Sequence, residues 1–178
     1  MKKSLLTMDT ETYIYKPFGQ VIFDLDHTII DSSHRQLTMA DGSLDLQHWR
    51  ANNTREKILA DSLLPLADHW RSLKDKGAEI VICTARVMGE HDLEFLAKNG
   101  LEYDALLSRP IGNNSPDSLL KYGMLRDYAN SLGKSWANFC ARSIMFDDNQ
   151  NVIETLANKG LRVYNAISIN KKASPIEL

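Results

Sequence analysis

Two acidic pairs in the chain could do chemistry: Asp24 and Asp26 in Phe23-Asp24-Leu25-Asp26-His27-Thr28, and Asp147-Asp148 after Ile144-Met145-Phe146. Each follows directly on an apolar run, where a carboxylate is costly unless something uses it. Brought together, such groups repel by about 4 kcal/mol for a pair ~4 Å apart at an effective dielectric of roughly 20. A hard divalent cation removes that penalty. Ligation by a few carboxylates with water and phosphate is the manner of Mg2+.

Phosphoryl transfer also needs a nucleophile, an acid/base, and donors or cations around the equatorial oxygens. The ionised Asp24 carboxylate can attack phosphorus, and Asp26 can protonate the leaving oxygen and later activate water. Thr84 offers a hydroxyl and Lys121 a compact positive charge. Taken singly these signals are weak. Asp-x-Asp is often a turn or a solvated pair, a threonine at a strand end is usually structural, and a helical lysine is usually solvated.

The elements that must position these groups are legible from the apolar pattern. Short runs rich in β-formers predict strands at 20–23, 80–83, 103–107, 143–146 and 161–164. Between them lie helices: one beginning near Leu44, Leu46 and Trp49, one opened by Pro65 and stopped at Lys76-Gly77, and others over 90–99, 117–130 and 149–159. Strands alternating with helices imply an open parallel α/β sheet with helices on both faces. Ligands bind such sheets at the carboxyl ends of the strands. Asp24, Thr84 and Asp147 each come immediately after a predicted strand, so the fold carries them to one edge. Residues 1–19 read as an N-terminal arm, 20–166 as the catalytic domain and 167–178 as a C-terminal tail, with Asn170-Lys171-Lys172 as ordinary surface.

Composition bounds the function. At 178 residues, 43% apolar and 25% charged, the chain reads as one globular domain that needs no disulfide or structural metal. A net charge of −2 excludes a strong basic field for sequence-blind binding of long duplexes but allows a local basic cleft. Cys83 and Cys140 lack ligand spacing, which points to a reduced, cytoplasmic protein. Asp9 and Glu11 interrupt an incipient signal-like N-terminus. No apolar stretch approaches the ~20 residues of a membrane span. No membrane association and no obligatory protein partner are expected.

The ordered set Asp24-x-Asp26-x-Thr28, Thr84, Lys121 and Asp147-Asp148 resembles the four motifs of the haloacid dehalogenase superfamily of phosphatases, over about residues 20–165. The resemblance implies a Rossmann-like sheet with a small flap or cap inserted after the first strand, here 31–61. It implies an aspartyl-phosphate on Asp24, with Asp26 as acid/base and its main-chain carbonyl in the Mg2+ shell. Thr84 and Lys121 would hold phosphate, Asp147 would ligate Mg2+ and Asp148 would support it. The second carboxylate, Asp26, argues against a true dehalogenase.

A narrower likeness joins His34-Arg35, Trp49, Asp61 with Pro65, Thr84-Ala85-Arg86, Leu106-Leu107-Ser108-Arg109-Pro110 and Pro116-Asp117-x-x-x-Lys121. These look like the phosphatase domain of bacteriophage and bacterial polynucleotide kinase/phosphatases, which removes 3′-phosphates from nucleic-acid ends; some relatives take nucleotides. By that likeness Arg86, Arg109 and Asp117 support the substrate phosphate and the lysine. His34 and Arg35 are placed to contact substrate from the flap or to stand as solvated loop residues, and both readings stay open. A nucleoside 5′-monophosphate phosphatase is the neighbouring alternative. His27 and Ala85 stand where the motifs usually carry glycine.

Gly133-Lys134-Ser135 imitates the end of a P-loop, but Tyr128 occupies the position of its upstream glycine, and no kinase domain is expected. A receiver-type domain would place its acidic pair first, the reverse of the order here. An inactive binding protein would not need every motif carboxylate. Trp49, Trp70, Trp136 and Phe139 read as packing residues rather than base platforms. His48, His69 and His91 have no ligand spacing.

Overall fold

The computed structural model describes residues 19–173. The N-terminal arm through residue 18 and residues 174–178 lie outside that range. In chain order the elements are β1 (Gln20–Phe23), β2 (Ile30–Asp31), a 3-10 turn at Ser33–Arg35, α1 (Leu46–Ala51), α2 (Arg55–Leu59), β3 (Ser62–Leu63) and α3 (Leu66–Asp75). Then come β4 (Glu79–Thr84), α4 (Glu90–Lys98), β5 (Ala105–Ser108), α5 (Asp117–Ser131), α6 (Trp136–Arg142), β6 (Ile144–Asp147), α7 (Gln150–Asn158), β7 (Arg162–Asn165) and α8 (Ala166–Ala173).

The main sheet runs β5-β4-β1-β6-β7 with every pairing parallel. Its central strands are continuous apolar runs because helices cover both faces. Alternate side chains of β1 feed two cores: Val21 and Phe23 pack with Trp70, Ile82 and Phe146, whereas Ile22 packs with Val81, Leu125, Phe139 and Met145. The Phe23 ring stacks on Trp70 and on Phe146, each with centroids 5.0 Å apart. Trp70 is fully buried and donates its Nε1 proton to the Glu102 carbonyl at 2.8 Å, as a core residue should.

Strand order reverses at β1, which has β4 on one side and β6 on the other. Such a switch point opens a crevice at the strand ends. The register aligns Phe23 with Ile82 and with Phe146. Asp24 and Asp147 therefore leave their strands side by side, with Thr84 at the end of β4.

The insertion after β1 is closed at its base by an antiparallel ribbon in which Ile30 faces Leu63 and Asp31 faces Ser62. Between these strands α1 is capped by Asp45, which accepts from His48 N, and α2 by Thr54, which accepts from Lys57 N. The cap is polar and thin: α1 buries no residue and α2 buries only Ile58.

Two expectations change, for Trp49 and for the C-terminal tail, and one helix that the sequence reading left unassigned is added. Trp49 is half-buried and belongs to neither core; α1 is only six residues long and rests on charged side chains rather than on the sheet. Residues 136–142 form the helix α6, capped by Ser135, whose Trp136 and Phe139 stack at 5.6 Å as packing residues. The residues from 166 to 173 are the helix α8 rather than a tail, and Asn170 is buried. It accepts from Leu66 N at 2.9 Å and donates to the Thr28 carbonyl at 3.0 Å, so a polar side chain serves two main-chain groups inside the fold. Among the described residues no helix is long and apolar enough to cross a membrane.

Candidate active site

At the strand ends the Lys121 ammonium donates to Asp24 Oδ1 at 2.8 Å and to Asp147 Oδ2 at 2.7 Å, with all three side chains buried. Lys121 sits in the second turn of α5, whose start is set by Pro116 and Asp117. Asp24 N donates to the Phe146 carbonyl at 3.0 Å, extending the β1–β6 pairing to the acidic edge.

Carboxylate oxygens of Asp24, Asp147 and Asp148 lie within 4.8 Å of one another. Burial, helped by the Asp147 charge, pushes Asp24 up to about 7 against the pull of Lys121. Burial and the Asp24 charge lift Asp148 to about 6, and burial raises Asp147 as well. Burial works against the charged form of Lys121, but Asp24 and Asp147 prevail and hold it above the usual lysine range. Three crowded carboxylates sharing one ammonium are short of positive charge. Their all-oxygen donor set fits a hard dication such as Mg2+.

Asp26 turns away from that cluster. It accepts from Arg86 Nε at 3.0 Å, from Arg86 Nη2 at 2.5 Å and from Ser32 Oγ at 2.8 Å. Burial alone would raise its pKa; the Arg86 charge and the bonds from Arg86 and Ser32 outweigh this and hold it below the usual carboxylate value. Its side chain is thus engaged elsewhere, and only its main-chain carbonyl is left to meet a metal. Thr84 is buried, its Oγ1 accepting from Arg86 N at 3.1 Å.

The flap residues assemble behind Arg86. Arg35 donates through Nε and Nη2 to the two oxygens of Asp61 and through Nη1 to Asn53 Oδ1 at 3.0 Å. His34 Nε2 is 2.8 Å from Asp61 Oδ1. The Trp49 ring lies 4.2 Å from the Arg35 guanidinium and 5.5 Å from that of Arg86.

Arg109 and Asp117 occupy the other rim. Arg109 donates to the carbonyls of Ala85, Asn113 and Ser115 and to Asp117 Oδ1 at 2.5 Å, bracing the loop between β5 and α5. His27 adopts φ +55°, the left-handed conformation that explains why glycine is usual at that position. Its Nε2 is 3.1 Å from Gln36 Oε1.

The fold therefore gathers Asp24, Lys121, Asp147 and Asp148 in one cluster. Asp26 with Arg86 stands beside it, His34 and Arg35 are tied in through Asp61, and Arg109 with Asp117 forms a separate brace. Ser32, Asn53 and Asp92 escape sequence reasoning. Asp92 Oδ2 accepts from Gly89 N at 2.9 Å, so it reads as an ordinary acid in the first turn of a helix; its other oxygen accepts from Arg86 Nη1 at 2.6 Å.

The family model described as bacteriophage T5 5′-deoxynucleotidase matches residues 16–174. The 5′-deoxynucleotidase of Escherichia phage T5 is 31% identical over 169 residues, spanning 84% of this chain and 68% of the relative. The chain belongs to the phage T5 5′-deoxynucleotidase family. It is a phosphatase of the haloacid dehalogenase type.

Solved structures agree on the fold of this family member. A haloacid dehalogenase-like hydrolase from Streptococcus pneumoniae superposes with a TM-score of 0.62 at 10% identity, over 87% of this chain and 91% of that one. A chain of the Pnkp1/Rnl/Hen1 RNA repair complex gives a TM-score of 0.55 at 20% identity. That match spans 84% of the family member but only 43% of the repair-complex chain.

Proposed function

We propose that the enzyme hydrolyses deoxynucleoside 5′-monophosphates to deoxynucleosides and inorganic phosphate through an aspartyl-phosphate on Asp24, with Mg2+ as cofactor. The observation that carries the substrate class is the family match across residues 16–174, which includes the cap as well as the catalytic edge.

An Asp24 carboxylate oxygen attacks phosphorus as the ester P–O bond breaks, and the leaving 5′-oxygen takes a proton from Asp26. The Asp26 carboxyl is ionised in the free enzyme and receives that proton from the entering phosphate monoester monoanion. Asp26 then accepts a proton from water, whose oxygen attacks the phosphoryl group, releasing phosphate and restoring the Asp24 carboxylate. Lys121, 2.8 Å from Asp24, offsets charge on the nucleophile and on the phosphoryl oxygens, and Thr84 supplies a hydroxyl at the end of the neighbouring strand. Asp24, Asp147 and Asp148, with the Asp26 carbonyl, would hold Mg2+, which when bound screens their charge and polarises the phosphoryl group.

A second reading, removal of 3′-phosphates from nucleic-acid ends, is favoured by His34-Arg35, Trp49, Asp61 and Thr84-Ala85-Arg86 together, a set that resembles the phosphatase domain of polynucleotide kinase/phosphatases. Phosphate release from deoxynucleoside 5′-monophosphates and from a 3′-phosphorylated oligonucleotide, each with and without Mg2+, separates the two. Turnover of the oligonucleotide without turnover of mononucleotides would overturn the first.

A further inference from the structure

The Arg86 side chain is 3% exposed and each of its three nitrogens donates to a carboxylate. Nε and Nη2 make two parallel bonds to the oxygens of Asp26, Nη1 donates to Asp92, and Nη2 lies 4.0 Å from Asp61 Oδ2. A substrate phosphate could take the fork formed by Nε and Nη2 only by displacing Asp26. The paired geometry fixes both the position and the rotation of the carboxylate it holds, because a planar fork matched to two oxygens leaves one orientation.

The groups that hold Arg86 come from separate parts of the chain. Asp92 belongs to α4 on the sheet, Asp61 to the cap's return toward β3, and Trp49 to the cap helix α1. Asp61 is itself locked by the bidentate bond from the buried Arg35. Two guanidiniums, Arg35 and Arg86, thus face three carboxylates, Asp26, Asp61 and Asp92, beneath the Trp49 ring. The short cap is bonded into the support of the catalytic acid.

We infer that Arg86 is a positioning residue for Asp26 rather than a ligand of the substrate phosphate, and that the cap residues Asp61 and Trp49 act on catalysis through it. This inference rests on the proposed role of Asp26 as proton donor to the leaving oxygen. It has a distinctive consequence. Disturbing the support harms esters whose leaving oxygen needs a proton and spares those whose leaving group departs as a stable anion.

The test compares kcat/KM for a deoxynucleoside 5′-monophosphate with that for p-nitrophenyl phosphate, a ratio that reports the steps up to loss of the leaving group. Arg86→Lys keeps the charge but loses the fork. It should lower kcat/KM for the nucleotide about 100-fold, the scale of a general-acid contribution, and for the aryl ester less than about threefold. Trp49→Leu, on a cap helix that buries no residue, should fold and show a selective loss of about fivefold, the scale of a cation–π contact, with Trp49→Phe restoring most of it.

Equal losses on both substrates in Arg86→Lys would overturn the inference in favour of a phosphate ligand. Should that variant fail to fold, Trp49→Leu decides, and an absence of selectivity there overturns it. Asp26→Asn separates the two levels. If it shows no leaving-group selectivity, the proton-donor role itself is wrong; if it does and Arg86→Lys does not, only the positioning role is.

Discussion

Lys121 Nζ donates to Asp24 Oδ1 at 2.8 Å across 97 residues of sequence, so the residue proposed to attack phosphorus is neutralised by an ammonium from the far side of the chain. Replacing Asp24 by Asn removes the nucleophile but leaves Lys121 its bond to Asp147. Turnover should fall at least ~10³-fold while the melting curve changes little. Near-normal phosphate release by Asp24→Asn would refute the covalent mechanism.

Lys121→Ala should do the opposite to stability. It strands Asp24 and Asp147 as buried charges, a loss on the order of 3–5 kcal/mol in metal-free protein. Mg2+ should recover a larger part of that loss than it adds to the wild type, because it replaces the missing positive charge. Urea unfolding with and without Mg2+ measures both quantities.

The acidic cluster sets a pH dependence whose sign follows from its raised pKa values. Asp24 at about 7 and Asp148 at about 6 hold protons in the folded chain that the unfolded chain has already shed. Their contribution to metal-free stability is therefore present at low pH and declines as pH rises toward 7. Mg2+, as the proposed cofactor, would compete with those protons and bind the ionised forms. The rise in Tm produced by Mg2+ should be larger at about pH 8 than at about pH 5.5. An equal shift at both would place the metal elsewhere.

How much of this was readable in advance depended on the physical reason behind each position. Asp24, Thr84 and Asp147 were legible because strands covered on both faces become unbroken apolar runs, and a carboxylate or hydroxyl ending such a run is conspicuous. The parallel α/β sheet followed from the same runs. The support of Asp26 was not legible. Ser32 and Asp92 are ordinary polar residues until the fold brings them to Asp26 and Arg86, and nothing local in the sequence shows that Asp26 and Asp92 bond Arg86. Trp49 misled for a related reason: leucines beside a tryptophan suggest a buried stripe, yet Leu44 and Leu46 are exposed and the ring covers cations.

Arg35 and Asp61 are both fully buried and joined by two bonds, at 2.8 and 2.7 Å. Breaking the pair from one side should be worse than removing it. Asp61→Ala should lower stability by roughly 3–5 kcal/mol, whereas Arg35→Met with Asp61→Leu should recover much of the loss. Chemical denaturation of the two variants beside the wild type makes the comparison. A double substitution no better than the single one would mean that the pair does not act as a unit.

His27 offers a conformational test. At φ +55° a β-branched side chain is strained, so His27→Val should cost about 1–2 kcal/mol. His27→Gly removes that strain along with the contact to Gln36, and its stability should stay close to that of the wild type. Thermal unfolding that ranked valine above glycine would show that the backbone relaxes out of the left-handed region when the imidazole is lost.

Asn170 joins the Thr28 carbonyl to the start of α3. Thr28 belongs to the first catalytic loop, and its partner is made 142 residues later. During synthesis this tie is absent until α8 has emerged, and β1 itself gains its neighbours only with β4 and β6. The segment that carries the proposed nucleophile is thus translated before the strands that flank it and before the helix that ties down its loop.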